Sequence, residues 1–343
     1  MPAAIRLIHP APAAAVVALT AALAAILSAQ AGVAIGERWL LTVLAVAGSQ
    51  VFTGATNDIA DRFRDSAVRP EKPLPAGELS LNAATWIASI GLAVQLVASW
   101  RTGELPLALG VVASGSALAY NLFLSRTPLS PLPYVISFGL LPAWIAAGIG
   151  IPVERVLPAI PLVAPFAMAA HLANTLRDFE ADAAGSSRSL AQVLGRRTSR
   201  LLAAGLALAV GLGVGAALLI GGRASAASIV LGLLGLAAIA QGVPSERRLW
   251  YGFLLAAVSW TAAWALSTAS TASSISRSSS SPSSVSFSHT KRPARTVSGM
   301  MIIAARSAPM VRNRTLKIFM PRSPHWTRIP GPPYLVALVQ RRS

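Results

Sequence analysis

Long apolar stretches alternate with short polar connections along the first 267 residues of the chain. A stretch of about 17 to 25 apolar residues can cross the hydrocarbon core of a bilayer as a helix. The pattern predicts nine such spans, at approximately 11–31, 39–56, 82–100, 105–123, 133–151, 156–174, 201–221, 225–241 and 249–267. The first could imitate a signal peptide, but it is followed by further spans and by a weak cleavage site, so we interpret it as a span. The chain is therefore predicted to be an all-α, polytopic membrane protein.

The composition supports a membrane protein and limits its chemistry. The chain is 54% hydrophobic and 12% charged, with a mean hydropathy of +0.60, which is more apolar than an ordinary soluble domain. It contains no cysteine. Disulfides, thiolate metal sites and a cysteine nucleophile are therefore excluded, and any metal ligand must be oxygen or histidine.

The formal net charge of +17 would be typical of a nucleic-acid-binding protein, but the charges are unevenly placed. All 12 acidic residues precede residue 268, whereas residues 268–343 contain 12 Lys and Arg and no acid. The high charge is thus largely a property of the C-terminal segment. We predict that the partner surface is the lipid bilayer and that nucleic acid is not a partner.

The composition also divides the chain into two parts. Residues 1–267 are predicted to form the transmembrane domain, and residues 268–343 a tail rich in Ser, Arg and Pro. Such a sequence is typical of disorder. Nine spans with the N-terminus inside would also place this basic tail outside, against the positive-inside rule, so a non-native reading frame is a second explanation.

Lysine and arginine are concentrated in alternate connections between the spans. The N-terminus and the even-numbered connections hold 13 of them, and the odd-numbered connections hold four, which are Arg38, Arg101, Arg155 and Arg223. Because Lys and Arg are enriched on the cytoplasmic side, the even connections are predicted to be cytoplasmic. We expect a multi-pass protein of the cell membrane with its N-terminus inside.

Two groups of polar residues repeat one spacing at the ends of spans two and six. Both follow the pattern Asn-x3-Asp-x3-Asp, at Asn57, Asp61 and Asp65 and again at Asn174, Asp178 and Asp182. Residues four apart lie on one face of a helix, so we name these trios the first and second ladder. Mg²⁺ is commonly bound by one or two carboxylates together with substrate phosphates. The ladders therefore predict a metal site that can hold a diphosphate, on the cytoplasmic side.

Cations follow both ladders. Arg69 and Lys72 lie in a proline-rich connection that ends at Gly77, and Arg188 follows the second ladder. Prolines stiffen such a connection, and basic side chains can bind phosphate oxygens. Each of these cations could instead be a positive-inside anchor, but their position beside the ladders favours phosphate binding.

Three further polar residues lie near the ladders. Asp58 and Glu180 point away from the ladder faces and are predicted to contact solvent or to support the ladder residues. His171 lies one turn before the second ladder. A single histidine there is predicted to be a structural hydrogen-bonding group.

The segments 57–65 with 69–77, and 174–182 with Arg188, resemble the UbiA superfamily of intramembrane prenyltransferases. The resemblance covers roughly residues 5–267 and leaves out the tail. It implies a nine-helix bundle with a chamber open to the lipid, in which the two ladders bind Mg²⁺ and an isoprenyl diphosphate. It also implies positions near the diphosphate for Arg6, Tyr120 and Arg126. Tyr120 could alternatively be an interfacial belt residue, and Arg126 a topological anchor.

The activity implied by this resemblance is transfer of a prenyl group to a hydrophobic acceptor within the membrane. Neutralising the leaving diphosphate would let the allylic C–O bond ionise, and an electron-rich acceptor would then attack the prenyl carbon. An aromatic or quinone-precursor acceptor is the expected class, and no residue is assigned as the base.

Two other classes of membrane protein compete with this interpretation. An ion-coupled transporter would also use intramembrane acids, but these should lie near the midplane of the bilayer. CDP-alcohol phosphotransferases place aspartates at a membrane face, but in one long motif that this chain lacks. Two ladders at helix ends beside basic connections favour the prenyltransferase.

Overall fold

The computed structural model describes residues 1–184, 187–222 and 224–278, with side chains for all of them except 181 and 267–278. This part of the chain is all-helical, which confirms the predicted fold class. Nine helices are long: α2 (Pro10–Ala31), α3 (Glu37–Val68), α4 (Leu81–Thr102), α5 (Glu104–Leu122), α6 (Leu132–Ile149), α7 (Ile160–Arg177), α10 (Arg196–Ile220), α11 (Ala226–Gly242) and α12 (Glu246–Ser278). Three are short: α1 (Ala3–Leu7), α8 (Phe179–Ala184) and α9 (Leu190–Leu194).

Each predicted span corresponds to one long helix. Among the described residues, eight helices are long and apolar enough to cross a membrane, and α11 is a shorter apolar helix. Helix α3 extends well beyond the predicted span 39–56. Its 32 residues correspond to a length of about 48 Å at a rise of about 1.5 Å per residue. The polar first ladder is therefore the continuation of a membrane helix.

The last helix passes the predicted domain boundary at residue 267. Helix α12 continues to Ser278, so the start of the predicted tail is itself helical. This stretch, mostly serine, threonine and alanine, contains no proline that would interrupt the backbone hydrogen bonds of the helix. The rest of the predicted tail lies outside the described residues.

Two apolar clusters hold the bundle together. The first is formed mainly by α2, α3, α5 and α6, and Val46 and Trp144 are buried within it. The second is formed by α7, α10, α11 and α12, around Leu172, Phe253 and Trp260. The first ladder thus extends from one cluster and the second ladder from the other.

Helices α3 and α4 pack closely through a pair of glycines. A methyl group at position 91 would approach the Phe52 nitrogen to 2.8 Å and the Gly48 carbonyl oxygen to 2.9 Å. Small residues at such positions let membrane helices come together without side chains between them. This contact holds the helix that carries the first ladder.

At one end of the bundle, Arg38 binds the C-terminal ends of two helices. Its guanidinium donates to the Thr102 carbonyl at 2.6 Å, at the end of α4. It also donates to the carbonyls of Ala147, at 3.1 Å, and Gly148, at 3.0 Å, near the end of α6. The last carbonyls of a helix have no partner within it, so one arginine satisfies groups from two helices.

The N-terminus and the even-numbered connections meet at the other end. Arg6 pairs with Glu78, which follows α3. Arg196, at the start of α10, pairs with Glu246, at the start of α12, at 3.2 Å. Both ladders lie at this end, as the distribution of Lys and Arg predicts.

We expect Gly91→Ala to destabilise the bundle by about 1 to 3 kcal/mol, because the added methyl group would force α3 and α4 apart. Thermal unfolding in detergent would measure this change. Gly205→Ala is a matched control, since a methyl group there would meet no atom within 4 Å. Equal unfolding temperatures for the two variants would contradict the proposed close contact.

Candidate active site

The carboxylates of the first ladder are buried although they lie at a helix end. Asp61 is 7% exposed and Asp65 is 1% exposed. Asp58, one residue beyond Asn57, is 2% exposed. Buried carboxylates need hydrogen bonds and counter-charges to remain ionised. The basic side chains that contact these carboxylates therefore belong to the candidate site.

Lys72 supplies one of these counter-charges. Its ammonium group donates to Asp58 Oδ1 at 2.8 Å and to Asp65 Oδ2 at 2.7 Å. The connection after α3 turns back towards the helix, with the Lys72 carbonyl accepting from Ala76 N at 2.9 Å and Gly77 at a φ of +70°. The Lys72 side chain therefore contacts α3, the helix that precedes it in the chain.

The second ladder is divided between two helices. Helix α7 ends at Arg177, Asp178 follows it, and Asp182 lies on α8. The Asp178 N–H binds the Thr175 carbonyl, three residues back, at 3.2 Å, which marks the end of α7. The Asp182 N–H still binds the Asp178 carbonyl, at 2.8 Å. The expected single helical face is therefore wrong for this ladder, although its carboxylates stay at one end of the bundle.

Two arginines from α3 and its connection join the ladders. Arg64 contacts Asp61 Oδ2 at 2.8 Å and Asp182 Oδ1 at 3.6 Å. Arg69 contacts Asp178 Oδ1 at 2.6 Å. The two ladders therefore face each other across the width of one guanidinium group. Arg64, Arg69, Asp65 and Asp182 also line a small cleft.

A fourth cation comes from the connection between α5 and α6. Arg126 donates to Asp61 Oδ1 at 2.9 Å, and its carbonyl accepts from Arg188 N at 3.1 Å. The Arg188 side chain is exposed. The structure thus brings the predicted phosphate-binding residues Arg69, Lys72 and Arg126 to the ladders, with Arg188 beside them.

Burial and like charge shift the pKa of the second ladder. Burial raises the pKa of Asp182 above its ordinary value, Arg64 opposes this effect, and the Asp178 carboxylate adds to it. For Arg69, burial alone would lower the pKa, but the carboxylates of Asp178, Asp65 and Asp182 together raise it. An added cation would therefore be favourable at Asp182.

Other predicted site residues have different surroundings. Arg6 binds Glu78 and the Glu71 carbonyl, at 3.5 Å for the latter, and no contact with a ladder is found for it in the described part of the chain. Asn57 donates to Asn121 Oδ1 at 3.4 Å. Asn174 is half-buried on α7.

Tyr120 lies inside the bundle, next to the second ladder. Its ring meets Tyr134 edge-on at 5.3 Å between centroids and His171 at 5.7 Å. His171 is fully buried, and its Nε2 lies 3.1 Å from Ser130 Oγ. His171 thus makes a buried hydrogen-bonding contact, as a structural role would require, and the ring of Tyr120 faces other aromatic rings inside the bundle.

The sequence left two residues of this site, His9 and Arg64, unassigned and left two roles open for a third, Asp58. Asp58 is neither a solvent contact nor isolated, because it pairs with Lys72 and with His9 Nε2, at 3.0 Å for the latter. The sequence contained a signal for this pairing, since Asp58 and Asp65 are seven residues apart and so lie on one helical face, although Asp58 was expected to point away from the ladder. His9 and Arg64 gave no such signal. Glu180, the other residue expected to point away from the ladders, is exposed and contacts Arg196 at 2.6 Å.

The donor set fits a metal ion only in company with another ligand. Within residues 1–184, 187–222 and 224–278, no three His, Asp or Glu side chains are grouped so that they could hold a metal ion by themselves. Mg²⁺ commonly takes one or two carboxylates and completes its shell with substrate phosphates and water. Two facing ladders with four cations match that combination.

Comparison of the sequence with known proteins gives a family match and named relatives. The model of the UbiA prenyltransferase family matches residues 17–248. Digeranylgeranylglyceryl phosphate synthase from Methanoculleus marisnigri is 31% identical over 168 residues, which are 48% of this chain and 58% of that protein. The protein of the same name from Thermococcus gammatolerans is 28% identical over 192 residues, which are 51% of this chain and 63% of that protein. The chain thus matches less than two thirds of the length of these relatives.

Solved structures share the fold at low sequence identity. A UbiA homolog from Archaeoglobus fulgidus bound to GPP and Mg²⁺ matches with a TM-score of 0.58 and 16% identity, over 77% of this chain and 99% of that chain. The apo structure of a UbiA homolog from Aeropyrum pernix K1 has a TM-score of 0.58 and 18% identity, over 76% and 98% of the two chains. At these identities the likeness shows the fold alone.

We expect Arg64→Met to loosen the second ladder, because the variant removes the guanidinium that contacts both Asp61 and Asp182. The free energy of local opening of α8 should fall by about 1 kcal/mol. Hydrogen exchange of the Phe179–Ala184 amides would measure this. Arg62→Met is the control, since Arg62 contacts only the Ile59 carbonyl and the Phe63 ring in the described structure. Unchanged exchange in Arg64→Met would contradict the bridge.

Proposed function

The chain belongs to the UbiA prenyltransferase family, and from this premise we propose that it transfers a prenyl group from an isoprenyl diphosphate to a hydrophobic acceptor in the membrane. One observation carries the proposal. Two rows of carboxylates face each other at one end of an apolar bundle, with Arg64, Arg69, Lys72 and Arg126 between and around them. A hard cation and a polyanion together match this alternation of charge.

Mg²⁺ is the proposed metal, and the ladders are its proposed ligands: Asn57, Asp61, Asp65, Asn174, Asp178 and Asp182. When bound, it would neutralise the charge that develops on the leaving diphosphate. The homolog from Archaeoglobus fulgidus that binds GPP and Mg²⁺ supports this assignment, since it has the same fold. The facing arrangement of Asp61 and Asp182 across Arg64 supports it from this chain.

The cations are proposed to bind the diphosphate and to stabilise its charge as the C–O bond breaks. Arg69, Lys72 and Arg126 each come from a connecting segment, so they can exchange a carboxylate for a phosphate oxygen with a small movement. Arg188 lies beside Arg126 and completes this group. We propose that Arg6 acts indirectly, because its bonds to Glu78 and to the Glu71 carbonyl secure the connection that carries Lys72.

The apolar side chains of the bundle are proposed to hold the prenyl chain and exclude water. A positively charged allylic carbon is short-lived in water, so a dry chamber protects it. The rings of Tyr120 and Tyr134 contact each other and His171, which lies one turn before Asn174 on α7, and aromatic faces attract cations. They are the proposed support for this carbon, in a chamber that is open to the lipid.

The ladder end of the bundle is proposed to face the cytoplasm. The N-terminus and the even-numbered connections, which meet at this end, contain 13 of the 17 Lys and Arg residues in the first 267 positions. The positive-inside rule places such connections in the cytoplasm. A water-soluble diphosphate head would then enter from that side.

Two classes of acceptor are candidates. The family resemblance led us to expect an aromatic or quinone-precursor acceptor. The named relatives are digeranylgeranylglyceryl phosphate synthases, a name whose product carries prenyl groups on glyceryl phosphate. A prenylated glyceryl phosphate is therefore the second candidate acceptor for this chain.

We expect Asp61→Asn or Asp178→Asn to lower prenyl transfer by about 100-fold, because each variant removes a charge that the diphosphate site depends on. Transfer of labelled prenyl diphosphate in membranes, with and without Mg²⁺, is the measurement. Glu37→Gln is the control, since Glu37 lies at the opposite end of the bundle and pairs with Arg101 in an exposed position. Turnover like that of the wild type in either aspartate variant would overturn the assignment.

The acceptor is tested with a panel that holds an aromatic quinone precursor and geranylgeranylglyceryl phosphate. We expect Mg²⁺-dependent product with one class and little with the other, because the two differ in charge and shape and share one chamber. Chromatography of the labelled products would identify the class. Transfer to neither acceptor with any prenyl diphosphate would contradict the proposed activity itself.

A further inference from the structure

We propose that His9, in the turn between α1 and α2, is a positioning residue of this site that acts on Lys72 through Asp58. The inference rests on the proposed function, because it concerns the cation that would meet the diphosphate. It also makes the N-terminal segment, which carries no ladder residue, a working part of the site.

His9 is held in an unusual backbone conformation. Its φ is 51°, and among the described residues it is the one non-glycine residue with a positive φ. Such a conformation is uncommon outside glycine, and it persists where the surrounding structure enforces it. Local strain of this kind is concentrated at functional positions in proteins.

The surroundings that enforce this turn are clear. Leu7 is fully buried in a cluster with Phe52, Ala55 and neighbouring residues of α4. The backbone of Ile8 lies against Gly54 so closely that a methyl group there would be 2.8 Å from the Ile8 carbonyl oxygen. The N-terminal turn is therefore seated on α3, one helical turn before Asp58.

This packing places the His9 ring against the buried carboxylate of Asp58. His9 Nε2 lies 3.0 Å from Asp58 Oδ1. The same oxygen accepts from Lys72 Nζ at 2.8 Å, and Lys72 also donates to Asp65 Oδ2 at 2.7 Å. An ionised carboxylate only accepts hydrogen bonds, so His9 donates from Nε2. The four side chains form one series, from His9 through Asp58 and Lys72 to Asp65.

The order of this series gives each residue a distinct task. Asp65 belongs to the first ladder, whereas Asp58 does not, so Lys72 has one anchor inside the ladder and one outside it. When a ligand engages Asp65, the bond to Asp58 keeps Lys72 at the site. The bond from His9 fixes the orientation of the Asp58 carboxylate, as outer partners commonly do for the groups that contact a ligand.

Lys72 offers a direct readout, because it is the only lysine among residues 1–290. Its rate of acetylation by acetic anhydride, followed by mass spectrometry of the peptide that contains it, reports how firmly its ammonium group is held. The measurement uses the full chain in detergent, without Mg²⁺ or diphosphate. It therefore requires no catalysis.

We expect His9→Ala to make Lys72 acetylation severalfold faster, because Asp58 loses the partner that orients it. His9→Gln, which keeps an N–H donor near the Nε2 position, should behave like the wild type. Ile5→Ala is the matched control, since Ile5 is 41% exposed on the same segment. Equal acetylation of Lys72 in His9→Ala and the wild type would overturn the proposal.

The kinetic test separates positioning from folding. In His9→Ala, the apparent KM for the prenyl diphosphate should rise about tenfold with little change in kcat. A merely structural role would lower kcat through loss of folded enzyme and leave KM unchanged, and that result would overturn the proposal. If His9→Ala does not fold, His9→Asn takes its place in both measurements with the same two outcomes, because Asn tolerates a positive φ but its side chain is too short to keep the Nε2 contact.

Failure of the proposed function gives a different result from failure of this inference. If the wild type transfers no prenyl group but Lys72 acetylation responds to His9→Ala, the contact series holds and the prenyltransferase assignment fails, which also removes the role proposed for His9. If the wild type is active and acetylation does not respond, the inference about His9 alone fails.

Discussion

Compensation of clustered negative charge, much of it buried, is the constraint on which this end of the molecule depends. Five aspartates, at positions 58, 61, 65, 178 and 182, lie together where an apolar bundle ends, and each contacts a basic side chain. Unpaired carboxylates there would be costly. The compensating cations come from α3 itself, from the connection after it and from the connection after α5. Satisfying the aspartates therefore folds those connections onto the bundle end and shapes the site before any ligand is present.

The sequence predicted the parts of this arrangement that depend on period and composition. Long apolar stretches fixed the number and approximate position of the helices, and the four-residue spacing indicated which polar residues belong together. The meeting of the two ladders followed from their placement at the same end of spans two and six. Lys72 was also found, because it follows the first ladder closely in the chain. Arg126 is distant from both ladders in the chain and was indicated only by the family resemblance.

The features that the sequence could not predict depend on contacts between distant segments. His9 reaches Asp58 only because Leu7 and Gly54 seat the N-terminal turn on α3, and no local pattern encodes that approach. The break of the second ladder after Arg177 also has no proline or glycine to announce it. Arg6 binds Glu78 and the Glu71 carbonyl in the connection after α3, and its sequence position does not predict these contacts. In each case a choice among several possible partners was decided by tertiary packing.

The length of α3 determines where the first ladder lies relative to the bilayer. A hydrocarbon core of about 30 Å takes up about 20 residues of helix, so roughly the last third of this 32-residue helix projects beyond it. The first ladder lies in that last third of the helix. The distance from the ladder to the bilayer midplane is therefore fixed by the length of one continuous helix. A change in bilayer thickness shifts the headgroup plane relative to this helix. The lipid composition of the host membrane thus sets where the first ladder lies relative to the headgroups.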